Sequence, residues 1–184
     1  MTTRGERDGI TRRTALEMIG TSAVGFAMMG SGFAEDENAS NRLRTTVPKL
    51  SGPSLSLLHR LLNDPTFRGV ILDKDAAALS KNENLNADEL MLALLPLAKS
   101  YARAPISNFF VGVVVRGASG NLYLGSNVEI PGQCLGFAVH GEQSALSKAY
   151  MNSEQSVESL AVIGGDPCGH CRQFMEEISP MVRC

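Results

Sequence analysis

From Ser54 onward the apolar positions fall into short periods. Leu55, Leu57, Leu58, Leu61 and Leu62 make one face of a helix, and "GVILDKDAAALSKNEN" (69–84) adds a second short segment with a polar end. Together these predict a small helical subdomain over 53–83. A stronger helix starts at Asn86, where Glu89 three residues on completes a capping arrangement, and Leu90, Leu94, Leu97 and Ala98 repeat along one face. Pro96 should bend it or disrupt one turn. The run "NFFVGVVVRG" (108–117) is β-branched and nearly continuous, which predicts a largely buried strand. "GASGN" then turns the chain back into "NLYLGSN", the second strand of a hairpin. After the loop "VEIPGQCLGFA", the spacing of Ala145, Leu146, Ala149 and Tyr150 predicts a helix with His140 and Glu142 at or near its N-terminus. "SVESLAVIGG" reads as a third strand, and "CRQFMEEI" as a further helix opening on two cysteines. Helix, hairpin, helix, strand, helix is the order of an α/β domain with helices packed on a sheet.

The first fifty residues follow another pattern. A charged stretch closes on Arg12-Arg13, a mildly apolar run extends from Met18 to Phe33, and Gly32 and Ala34 precede acidic residues. That is the order of an export signal, and "TRRTAL" resembles a twin-arginine signal, with Ala15 and Glu17 departing from the usual pattern. Residues 1–34 are therefore expected to direct export to the periplasm; without a working signal the chain stays cytoplasmic. Residues 35–52 have the Ser, Asn, Thr and Pro content of a linker.

Composition changes this picture only by exclusion. Apolar residues are 43% and charged residues 20% of 184, enough to bury one core. With a net charge of −2 and no basic patch, a nucleic-acid partner is not expected. Four cysteines (134, 168, 171, 184) are too few and too clustered for a disulfide framework.

Chemistry concentrates at two helix starts. Cys168 and Cys171 are three apart, so on a first helical turn both sulfurs face one side, and a helix N-terminus favours thiolate. With His140 they make the three-ligand set of a catalytic zinc, leaving one position open. Glu142, two residues after His140, is placed to move protons between a water and a substrate nitrogen. His-x-Glu followed by Pro-Cys-x-x-Cys is the known signature of zinc-dependent nucleobase deaminases. Cys168-Gly-His-Cys171 is also compatible with a redox dithiol, but Pro167 stands where such sites carry an aromatic residue, and only thirteen residues follow Cys171. A zinc-binding remnant without catalysis is a further reading. His170, between the cysteines, is not expected to be a ligand; Cys134 could line the pocket or be a spectator, and Cys184 carries no signal.

"ALLPLAKSYARAPISNFFVG", "GSNVE", "HGEQSA" and "PCGHCRQF" occur in an order that resembles the cytidine deaminases, in the dimeric class with one His and two Cys on zinc. The resemblance runs roughly from Asn86 to Ser179 and implies a three-layer α/β/α sandwich, here over 84–184. It implies that His140, Cys168 and Cys171 bind one zinc per chain and that Glu142 shuttles protons. Asn127 and Glu129 would bond the ribose hydroxyl, and Phe109 would pack on the pyrimidine. The implied reaction converts cytidine or deoxycytidine to the uridine product and ammonia, in pyrimidine salvage, by a homodimer acting on a small nucleoside. Two residues depart from the family: Gly141 where Ala is usual, and Val113 where a smaller Ala is common. The chain also stops at Cys184, where the family continues with further strands and this class with a second domain, so it reads as C-terminally truncated.

Overall fold

The computed structural model describes residues 50–184; the export-type segment and most of the linker lie outside them. In chain order the elements are α1 (Gly52–Leu62), β1 (Val70–Ile71), α2 (Asp73–Glu83), α3 (Ala87–Lys99), β2 (Gly112–Gly117) and β3 (Leu122–Ser126). A 3-10 turn (Leu135–Phe137) precedes α4 (Gly141–Met151), β4 (Val157–Ile163) and α5 (Gly169–Ile178). The strands form one sheet in the order β1-β3-β2-β4, antiparallel at each of these pairings.

Central strand β2 explains the architecture. Val114 turns to one face with Leu122 and Leu124, where Leu90, Leu94 and Leu97 of α3 cover them. Val113 and Val115 turn to the other face with Tyr123, under Ala145, Leu146 and Ala149 of α4 and Met175 of α5. Helices thus cover both faces, giving the expected three-layer sandwich. An antiparallel sheet with one wet face alternates apolar and polar residues; this one is covered twice, so "VVV" runs without a break. Each buried valine or leucine there contributes about 1.5–3 kcal/mol.

The caps agree with the sequence. Asn86 Oδ1 accepts the Glu89 N–H at 2.9 Å and Glu89 Oε2 accepts the Asn86 N–H at 2.8 Å. Helix α3 continues through Pro96 to Lys99. The proline stands in the last turn, so only the Leu92 carbonyl loses its helical donor, and Leu92 is exposed to water.

Two expectations need correction. "GVILDK" is not helical throughout: Val70 and Ile71 pair with Tyr123 and Leu122, adding a strand at the edge of the sheet. Two residues are too few to show a period. The helical segments around this strand share its core, since Leu58, Ile71 and Leu79 pack in one cluster with α3. Strand β2 begins at Gly112 and not at Asn108; Asn108 has φ +54°, and Phe109 and Phe110 are exposed in a loop. The Asn127 side chain grips that loop, accepting the Val111 N–H at 2.8 Å and donating to the Phe109 carbonyl at 2.8 Å. These bonds shape the loop in place of a ladder partner.

The hairpin turn is closed by a buried acid. Glu154 accepts the Tyr123 hydroxyl at 2.8 Å, the Ser119 N–H at 3.2 Å and the Ser119 hydroxyl. Burial pushes its carboxyl up, but the bonds from Ser119 and Tyr123 outweigh it and hold the group below its ordinary value. A carboxyl lowered in the folded state contributes stability above its unfolded value and loses it as pH falls. We expect Glu154→Gln to cost about 1–3 kcal/mol in denaturant melts at pH 7. The gap to the parent should shrink as pH drops below about 4. A gap that stays constant through that range would remove the ionised acid from the account.

Candidate metal centre and its cavity

Helix α4 is positioned by two close contacts. A Cβ at Gly125 of β3 would lie 2.5 Å from the Gly141 carbonyl oxygen and 2.6 Å from the Ala145 Cβ, so only glycine lets the helix seat there. A Cβ at Gly141 would lie 2.8 Å from Val113 Cγ2 and 3.1 Å from Val111 Cγ1. The two departures from the family pattern therefore touch: the larger side chain at 113 occupies the space that a methyl at 141 would need.

His140 caps α4 in extended conformation, and its N–H donates to Gln143 Oε1 at 3.2 Å. Glu142 lies in the first turn and is buried. Cys168 caps α5, and Cys171 in its first turn is fully buried. His140 Nδ1 stands 3.5 Å from Cys168 Sγ and 3.2 Å from Cys171 Sγ, and the two sulfurs are 3.6 Å apart. A tetrahedral zinc with arms of about 2.3 Å to sulfur and about 2.0–2.1 Å to nitrogen sets its ligands about 3.8 Å (S···S) and about 3.6 Å (N···S) apart. Donor type and spacing both fit, and His140, Cys168 and Cys171 are a candidate zinc site.

The same geometry disfavours the redox dithiol. The His140 nitrogen lies 3.5 and 3.2 Å from the two sulfurs, an arrangement that a shared metal accounts for and that a two-cysteine exchange site does not require. Burial, followed by the nearby Glu142 charge, pushes the Cys171 thiol well up.

A cavity of about 350 Å³ opens over this centre. His140, Glu142, Cys168, Asn127, Glu129 and Phe109 line it, and Cys171 is buried behind them. These are the seven residues predicted from the sequence. Asn127 and Glu129 are also committed to the loop at the mouth, Asn127 as described and Glu129 by accepting the N–H groups of Ile106 at 2.8 Å and Ser107 at 3.0 Å. The Ser107 hydroxyl, then those N–H groups, hold the Glu129 carboxyl below its ordinary value. Phe109 is half exposed, and a Cβ at Gly165 would lie 2.9 Å from its ring.

His170 is outside the donor cluster, as expected. Its ring stands edge-on to that of His140 at 5.7 Å, and its Nε2 is 3.1 Å from Gln143 Nε2. Cys134 and Cys184 are exposed and do not line the cavity. Ser107, Gln143 and Asp166 were not singled out from the sequence. Gln143 had a signal, the third-residue spacing of a capping box after His140; Ser107 and Asp166 lie in loops without periodicity.

Residues 85–183 match the family described as the cytidine and deoxycytidylate deaminase zinc-binding region. The cytidine deaminase of Vibrio atlanticus (strain LGP32) is 44% identical over 138 residues, covering 74% of this chain and 46% of that protein. That of Shewanella pealeana (strain ATCC 700345 / ANG-SQ1) is 41% identical over 138 residues, covering 75% and 46%. Among solved structures, the cytidine deaminase from Mycobacterium leprae aligns with a TM-score of 0.47 and 32% identity, over 53% of this chain and 85% of that one. The chain spans about half the length of the curated relatives it matches.

The contact between positions 113 and 141 makes a prediction. Gly141→Ala alone should overpack and cost about 1–3 kcal/mol in denaturant melts. Combined with Val113→Ala, the loss should fall short of the sum of the single losses by at least about 1 kcal/mol. Additive losses would show that the two positions do not share one space.

Proposed function

The chain belongs to the cytidine and deoxycytidylate deaminase zinc-binding family, and from that premise we propose that it hydrolyses cytidine or deoxycytidine to the uridine product and ammonia, serving pyrimidine salvage. The observation that carries this reading is a buried carboxylate, Glu142, beside a three-donor zinc site at the floor of a cavity. A volume of about 350 Å³ is in the range of small-molecule sites.

His140, Cys168 and Cys171 would hold a zinc ion, which would supply a Lewis acid able to activate water at neutral pH. Glu142 takes a proton from the attacking water and delivers it to N3 of the pyrimidine. As the water oxygen bonds to C4, Glu142 passes that oxygen's second proton to the C4 amino group; the C4–N bond breaks, C4=O forms and ammonia leaves. Phe109 offers a ring at the mouth for the base, and Asn127 and Glu129 offer polar groups for the sugar. Glu129, Glu142 and Asp166 line the cavity, and among the described residues no Lys or Arg does. A phosphorylated substrate would meet three acids and no counter-charge there, which favours a nucleoside over a nucleotide.

A homodimer is supported by Val128, Ile130, Leu135, Phe137 and Val139, apolar side chains exposed along one loop. Export rests on the Arg12-Arg13 motif. A reporter fused to residues 1–34 should cross the membrane with the natural pair and fail to with Arg12→Lys and Arg13→Lys together; full export of that variant would remove the twin-arginine reading.

The purified full chain should hold about one zinc, and Glu142→Gln should keep the metal while ammonia release from cytidine falls roughly a thousandfold. Zinc without ammonia release by the parent would instead favour a zinc-binding module without catalysis. A chain that holds no zinc and cycles a Cys168–Cys171 disulfide would overturn the proposal.

A further inference from the structure

Ser107 has no role in the reaction as derived so far, yet it is bonded to two of the residues that face the cavity. Its hydroxyl donates to Glu129 Oε1 and accepts the Phe109 N–H at 3.0 Å. Glu129 Oε2 accepts two backbone N–H groups, from Ile106 at 2.8 Å and Ser107 at 3.0 Å. A carboxylate offers about four acceptor positions, two on each oxygen. Both positions on Oε2 are taken, and the Ser107 hydroxyl takes one on Oε1. One acceptor position remains on a side chain that lines the cavity.

We propose that Ser107 is a positioning residue for substrate selection: it fixes the Glu129 carboxylate so that a single acceptor faces the cavity and takes a sugar hydroxyl, and it ties that contact to the backbone of Phe109. The inference deepens the deaminase reading and rests on it. An acceptor with one free position rewards a donor in one direction and gives nothing to a sugar lacking that hydroxyl. Without the Ser107 hydroxyl, a second acceptor position on Oε1 opens to water or to a donor from another direction, so selection weakens while the two N–H groups still hold Oε2. Ser107 is exposed, which leaves room for the additional methyl of threonine.

The test compares ammonia release from cytidine, 2′-deoxycytidine and 3′-deoxycytidine by the full chain, Ser107→Ala and Ser107→Thr. We expect the parent to prefer cytidine over one of the deoxy substrates by at least about tenfold in kcat/KM. Ser107→Ala should shrink that ratio by at least about fivefold, with the loss on cytidine falling mainly in KM. Ser107→Thr, which restores the hydroxyl, should restore the ratio. A purely structural defect lowers all three substrates together and leaves the ratio intact, so an unchanged ratio in Ser107→Ala overturns the inference. Equal use of all three substrates by the parent overturns it too, because Glu129 would then take no hydroxyl. Release from none of them by the parent overturns the deaminase reading, and this inference with it.

Discussion

Helix α4 lies so close to strand β3 that position 125 has no room for a methyl group, and the candidate site depends on that approach. Seated there, the first turn of α4 holds His140 and Glu142 over the end of the sheet. Strand β4 lies on the far side of β2 from β3, so the loop that leaves it delivers Cys168 and Cys171 to the same end. The imidazole of one helix start then meets the thiols of the other at 3.5 and 3.2 Å. The two helices also hold each other, the Tyr150 hydroxyl of α4 donating to the Ile178 carbonyl of α5 at 2.7 Å. The glycines at 125 and 141 matter through the distances they allow. At Gly141 that allowance is used by Val113, which fills from the sheet side what an alanine would fill from the helix side.

The opposite wall is organised by side chains acting on backbone. Residues 104–111 stay out of the ladder of β2 and are held instead by bonds from Asn127 and Glu129. Arg103 pairs with Asn127 and Glu129 through main-chain bonds of 2.9 and 2.8 Å, and the side chains of those two residues take four more main-chain partners. Buried amide and carboxylate groups cost several kcal/mol if left unpaired, so their bonds fix one loop conformation. Phe109 can therefore remain half exposed at the mouth without the loop collapsing inward.

How much of this was legible depended on the range of the signal. Helices α3 and α4 and strand β4 were readable because apolar spacing is a local property, and the capping box at Asn86 because its two partners are three residues apart. The candidate site residues were readable in pairs: Cys168 and Cys171 by spacing, His140 and Glu142 as a motif at a helix start. Strand β1 was hidden because two residues carry no period, and the start of β2 was misplaced because Phe109 and Phe110 look like strand residues. What moves them into a loop is Asn127, sixteen residues after Val111. Ser107 was invisible for the same reason, since its importance lies in a bond to Glu129, twenty-two residues away. Gly141 and Val113 were noted separately as departures; only the fold brings them together.

The charges of the site account for why its parts belong together. Glu142 raises the cost of ionising Cys171, a thiol already disfavoured by burial. A carboxylate and two thiolates around one point would repel one another. A divalent cation held by His140, Cys168 and Cys171 would offset that repulsion, since its charge favours the thiolate form of its sulfur ligands. The proton acceptor and the metal donors are thus not two separate features placed side by side. Burial first, and the Glu142 charge second, disfavour ionisation of Cys171, and a bound cation would oppose both.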